Sequence, residues 1–140
     1  MTLGKFFEKI FGLEKFEFSK VKIKKDVVES MIGFAKTNYP KEFISLLQGQ
    51  VKDGSLIIDS LVYQPFEKSR TSASIVMNPH IYKIFGSVHS HPSKSGPSIT
   101  DLAHFNRQGA VHFIISYPYR EEDLVCYDRN GNQLEFEVIE

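Results

Sequence analysis

Hydrophobic and polar positions along this chain change period several times, and each change marks an element. Leu3, Phe6, Phe7, Ile10, Phe11 and Leu13 recur at helical spacing with Lys5, Glu8 and Lys9 on the other side, predicting an amphipathic helix that ends near Gly12 or Leu13. Residues 16–23 alternate imperfectly, as an opening strand does. Val27, Val28, Met31, Ile32 and Ala35 then predict a helix from Lys25 or Asp26 to Thr37, with Asp26 placed as its cap and Pro40 blocking continuation. Runs at 43–51, 55–63 and 73–77 read as strands, the first two joined by the turn Lys52-Asp53-Gly54, and Asn78-Pro79 opens a short helix. Ile84, Phe85 and Val88 belong to a strand stopped by Pro92, and a further helix begins at Ser98 and ends near Gly109. The nearly continuous apolar run 111–117 has the character of a central strand covered on both faces. Two last strands, 124–127 and 134–138, flank Asn130-Gly131, a strong hairpin signal. Strands in hairpins with helices interspersed predict an α/β fold, a mixed and largely antiparallel sheet sandwiched by helices, as one domain over 21–140 behind an extension of residues 1–20.

Composition narrows the function classes. With 17 basic against 17 acidic side chains, the chain lacks the basic excess that recruits nucleic acid. No apolar run approaches the 18 or so residues of a membrane span, and Glu8 and Lys9 interrupt what a signal peptide would need as its apolar core. A cytoplasmic location is therefore expected. The lone cysteine, Cys126, excludes an internal disulfide and any cysteine-cluster zinc site, and its apolar neighbours predict a buried structural thiol. Phe6, Phe7 and Phe11 need cover on a short helix, which predicts packing on the protein's own core or a homodimer through this segment.

Residues 86–101 are the part that looks built for chemistry. His89 and His91 lie one residue apart on a strand, so both imidazoles project from one face, close enough to share a metal ion. Asp101 falls in the first turn of the helix beginning at Ser98. If the intervening loop folds back, this carboxylate supplies a third ligand and a fourth position stays open for water, the arrangement of catalytic zinc. Simpler readings stand beside this one: Ser98 and Asp101 also fit a helix cap with an acid three residues on, and an isolated His-x-His pair is a weak motif.

The combination His89-Ser90-His91-Pro92, a short spacer and Ser98-x-x-Asp101 resembles the signature of the JAMM (MPN-plus) metalloproteases. The segment from Pro40 to Gly49 is similar to the family's upstream glutamate segment in compact archaeal members, which assigns that glutamate to Glu42. The resemblance covers roughly Val21 to the C-terminus, and it implies the family's sandwich, related to that of cytidine deaminases. One departure stands out: the spacer between proline and serine is five residues, 93–97, where the family has six. The resemblance implies one zinc ion per chain held by His89, His91 and Asp101, with Glu42 as the base that moves a proton and Ser98 as the donor that steadies the oxyanion. It further implies a zinc isopeptidase acting on ubiquitin-like modifiers, whose extended Gly-Gly tail would add along a strand edge beside the metal. Processing of a sulfur-carrier protein's C-terminus and a non-catalytic scaffold are the alternatives. A zinc deaminase would need a Pro-Cys-x-x-Cys segment, which a single cysteine excludes.

The other histidines rank lower. His104 lies three residues beyond Asp101 on the same helical face and competes as a ligand only weakly. His112, within the apolar central run, reads as a hydrogen-bonded core histidine, and His80 has no evident partner.

Overall fold

A computed structural model describes residues 18–62, 84–107 and 109–140. The predicted N-terminal helix, the beginning of the first strand, the strand at 73–77 and the short helix at Asn78-Pro79 lie outside the described residues. In chain order the elements are β1 (Lys20–Lys24), α1 (Lys25–Asn38), β2 (Ile44–Lys52), β3 (Ser55–Val62), β4 (Ile84–His91), α2 (Ile99–Arg107), β5 (Val111–Ser116), a 3-10 turn (Glu121–Asp123), β6 (Leu124–Asp128), β7 (Gln133–Leu134) and β8 (Glu137–Ile139). The eight strands form one sheet in the order β7-β6-β5-β4-β2-β3-β1-β8. It is mixed: β1 pairs in parallel with β3 and β8, β4 pairs in parallel with β5, and the remaining neighbours are antiparallel.

The sheet has to curl. Eight flat strands would span about 34 Å at the usual strand spacing, yet β7 and β8 occupy opposite edges with only Glu135 and Phe136 between them. Three extended peptide steps reach about 11 Å at most, so the edges must approach one another. This link also corrects the strand predicted over 134–138, which is two short strands because the chain changes edge in its middle. Phe136 anchors the crossing by packing edge-on against Phe113, with ring centroids 5.2 Å apart.

Helix α1 fills the curl. Its face of Val27, Val28, Met31 and Ala35 is buried against β1, β3, β5 and β8, as the helical spacing of these residues requires. Asp26 is not its cap, contrary to expectation. The chain passes from β1 into α1 without a loop, so the strand's last residue, Lys24, occupies the cap position and makes no side-chain capping bond. Asp26 instead sits in the first turn, where a negative charge suits the helix dipole. The β2–β3 hairpin closes as predicted: Asp53 and Gly54 both adopt positive φ, 52° and 76°, the requirement of a tight two-residue hairpin turn.

All six residues of β5 are buried, consistent with a strand covered on both faces. Beside it, β4 can approach only because Gly86 has no side chain, since a Cβ there would lie 1.5 Å from the Val111 carbonyl oxygen. The strand carrying the histidines therefore has both edges occupied, by β2 and β5. Cys126 is fully buried, and burial pushes its thiol up to about 12, which makes it the structural thiol its neighbours predicted.

His112 is the core histidine anticipated from its run. Its Nε2–H donates to the Gly109 carbonyl at 3.0 Å, which leaves Nδ1 to accept the Ser87 hydroxyl at 2.7 Å. Phe105 stacks on its ring at 4.3 Å. Burial, outweighing the Gly109 bond, lowers its pKa from 6.5 to about 4. The unfolded chain thus takes up this proton below about pH 6.5 while the folded chain resists until about pH 4. Stability contributed by neutral His112 is complete above pH 6.5 and is lost as the pH falls toward 4. We expect a decline on the order of 2–3 kcal/mol across that window from this residue, measured by urea unfolding of chelator-treated protein, and a flat profile contradicts it.

Candidate metal centre

Strand parity builds the first half of the site. On β4, Ser87 and His89 share a face with His112 and Ile114 of β5, their register partners, and His91 follows two residues beyond His89. Helix α2 covers this face. Phe105 stands 5.9 Å from His89, and His104 meets the His89 ring edge-on at 4.9 Å. Both histidines are almost fully buried, His89 at 3% exposure and His91 at 5%.

The loop after Pro92 brings the carboxylate back to them. Ser98 caps α2: its Oγ accepts the Asp101 amide at 3.0 Å, while its own amide donates to Asp101 Oδ2 at 2.9 Å. This reciprocal pair fixes the Asp101 carboxylate at the start of the helix. Asp101 Oδ2 then accepts from His91 Nε2 at 3.0 Å, and Oδ1 faces His89 Nδ1 at 3.5 Å. Three side chains separated by up to twelve residues thus meet in one buried cluster. Among the described residues no three His, Cys, Asp or Glu donors surround a common centre as they stand. Asp101 lies between the imidazoles, hydrogen-bonded to His91 and 3.5 Å from His89.

Electrostatics sets the protonation states. Burial, reinforced by the neighbouring His104, lowers His89 from 6.5 to about 4 despite the opposing pull of Asp101. His89 is therefore neutral at physiological pH and keeps an unprotonated ring nitrogen. Burial works against the charge of Asp101, but the Ser98 amide, His89, the Ser98 hydroxyl and His91 outweigh it and hold the carboxyl below its ordinary value. The cluster is one carboxylate and two imidazoles.

That donor set fits a divalent transition metal. Two imidazoles and one carboxylate are hydrolytic zinc's ordinary protein ligands, leaving a position open. The structure adds a sharper sign: His89 Nε2 is buried with no hydrogen-bond partner. Buried polar atoms are paired in the great majority of cases, and an unpaired imidazole nitrogen in such a cluster suits a cation.

Glu42 lies outside the cluster but at its edge. Its neighbour Phe43 donates its amide to Ser90 Oγ at 2.7 Å and accepts the Ser90 amide at 3.0 Å, and Ile44 pairs with His89. Continuing this antiparallel register by one step sets exposed Glu42 opposite His91. The charge of Glu42 also contributes to raising the Tyr119 pKa, after burial and Tyr39. Ser90, whose side chain points away from the histidines' face, was not anticipated from sequence; it is the buried peg that seats the Glu42 segment. Ser95 was also missed, and its hydroxyl lies 3.1 Å from His91 Nδ1. Its surroundings of Ser, Lys, Gly and Pro carried only a turn signal.

Exposed apolar residues ring the same place. Five large hydrophobic residues among those described are exposed, Tyr39, Ile44, Val51, Ile99 and Tyr117, and four border the cluster. Ile44 pairs with His89, Ile99 precedes Asp101 by two, and the Tyr117 amide donates to the His91 carbonyl at 2.9 Å. Tyr39 stacks on Tyr117 with centroids 4.9 Å apart.

Comparison with known proteins covers the part of the chain that carries this cluster. The family described as prokaryotic homologs of the JAB domain matches residues 24–129. A probable metalloprotease of Haloferax volcanii is 28% identical over 130 residues, covering 86% of this chain and 80% of that relative. A crystal structure of a JAB1/MPN domain protein from Archaeoglobus fulgidus superposes with a TM-score of 0.69 at 39% identity, over 85% of this chain and 99% of its own. A structure described as JAMM, a metalloprotease-like zinc site in the proteasome and signalosome, gives 0.67 at 37% identity, over 87% and 100%.

The cap is directly testable. Ser98→Ala leaves the Asp101 amide without its acceptor, and we expect a loss of about 1 kcal/mol in denaturant unfolding of chelator-treated protein. An unchanged midpoint would show that the bond contributes nothing.

Proposed function

This chain belongs to the prokaryotic homologs of the JAB domain, and from that premise we propose that it is a zinc-dependent metalloprotease. The observation that carries the reading is the buried Asp101 carboxylate set between the rings of His89 and His91. His89, His91 and Asp101 would hold one zinc ion per chain, and the ion would supply Lewis acidity to the reaction.

The chain's own residues supply the rest. Glu42, on the β2 side of the site, takes a proton from the attacking water and returns it to the leaving amine. Its side chain is exposed, so a water molecule can reach it. Ser98 donates its hydroxyl hydrogen to the oxygen of the attacked carbonyl. Capping does not forbid this, because a hydroxyl that accepts an amide hydrogen still has its own hydrogen to give.

The exposed apolar residues Tyr39, Ile44, Ile99 and Tyr117 support a protein substrate, since exposed apolar surface beside a site favours docking. We take the substrate to be a conjugate of a ubiquitin-like protein, cut after its Gly-Gly tail at a lysine isopeptide bond. No described helix is long and apolar enough to cross a membrane. We place the protein in the cytoplasm, and cover of the apolar positions of residues 1–20 by a second copy of the chain would make it a homodimer.

Metal analysis and turnover test the reading together. Purified protein should carry about one zinc per chain, and chelation should abolish cleavage of a modifier–lysine conjugate. Glu42→Gln should retain the metal yet lose about 10²- to 10⁴-fold in turnover. Equal cleavage by Glu42→Gln, or no cleavage by zinc-loaded protein, contradicts the proposal. Preference for a linear C-terminal extension over the lysine conjugate would instead favour processing of a sulfur-carrier protein.

A further inference from the structure

The loop between the two halves of the site does more than connect them. His91 is held at both ring nitrogens, by Asp101 at Nε2 and by Ser95 Oγ at Nδ1, at 3.0 and 3.1 Å. A carboxylate only accepts, so Nε2 carries the hydrogen in the arrangement seen, and Ser95 is free to donate to Nδ1. An imidazole that lends Nε2 to a cation must keep its one N–H at Nδ1, and the Ser95 oxygen is placed to accept it. A hydroxyl serves both tautomers because it donates and accepts; an aliphatic side chain serves neither.

Ser95 is itself held in place. Asp123 is buried, and Arg120 grips it through its amide at 2.9 Å, Nε at 2.9 Å and Nη2 at 3.2 Å. Those bonds keep the Asp123 carboxyl far below the usual carboxylate range. From this fixed anion the ammonium of Lys94, the residue next to Ser95, is held at 3.5 Å. Lys94 is 70% exposed at its side chain, so the pair adds little to stability and serves to set the direction of the loop.

Resting on the metalloprotease reading above, we propose that Ser95 is a positioning residue for the metal, fixing the tautomer and plane of His91, and that Lys94 and Asp123 hold the shortened 93–97 loop so that it can do so. Outer partners of this kind alter metal affinity by about 10- to 100-fold.

The test uses the full chain and zinc alone, with the dissociation constant measured by competition against a chromophoric chelator. Ser95→Ala should bind zinc about 10- to 100-fold more weakly than wild type, with an unchanged Tm in excess chelator, and Ser95→Thr, which keeps the hydroxyl, should bind as wild type does. Affinity of Ser95→Ala within about twofold of wild type overturns the inference and leaves the metalloprotease reading standing. A parallel fall in the Tm of the chelated variant also overturns it, because the serine would then act on the fold. Wild-type protein that takes up no zinc overturns both.

Discussion

The structure depends on one buried carboxylate. Asp101 is taken almost wholly out of water, a costly move for a charge unless hydrogen bonds and opposite polarity surround it. The Ser98 amide and the two imidazoles supply that surrounding, and each comes from a different constraint of the fold. The cap belongs to α2, the imidazoles to the face of β4, and the loop from Pro92 to Pro97 sets the distance between them. Removing any one would leave an ion buried with too few partners, which is why the site and the local fold cannot be separated.

The sheet makes this meeting possible. β4 lies deep in the strand order, with β5 parallel on one side and β2 antiparallel on the other. Its carboxyl end is a place where side chains from several elements converge, as ligand sites commonly do in α/β folds. The β2 register directs the segment carrying Glu42 toward the end of β4, pinned through the Phe43–Ser90 pair. Alternation along three residues of β4 thus serves two ends: His89 and His91 face α2, while Ser90 between them points to the opposite side and secures β2. Gly86 allows β5 to approach from the other flank.

Much of this was legible in the chain. Helical spacing located α1, turn chemistry located the β2–β3 hairpin, and the apolar density of 111–117 identified the buried central strand. His-x-His parity and the Ser98–Asp101 cap were readable because both follow from local geometry. What local pattern does not encode is where the chain goes next. The run 134–138 looked like one strand, and only the curl of the sheet splits it. Asp26 looked like a cap, but β1 leads into α1 without the loop residue a cap needs. Ser90 and Ser95 carry no motif of their own, since their roles arise from partners 47 and 4 residues away.

The central claim is that two imidazoles and one carboxylate hold a single zinc ion with room left for a reacting oxygen. Zinc K-edge X-ray absorption of the reconstituted protein reads that coordination directly. The account predicts a four-coordinate nitrogen and oxygen shell at about 2.0–2.1 Å with outer-shell scattering from two imidazoles and no sulfur. A spectrum with one imidazole or none, or with sulfur, would contradict it.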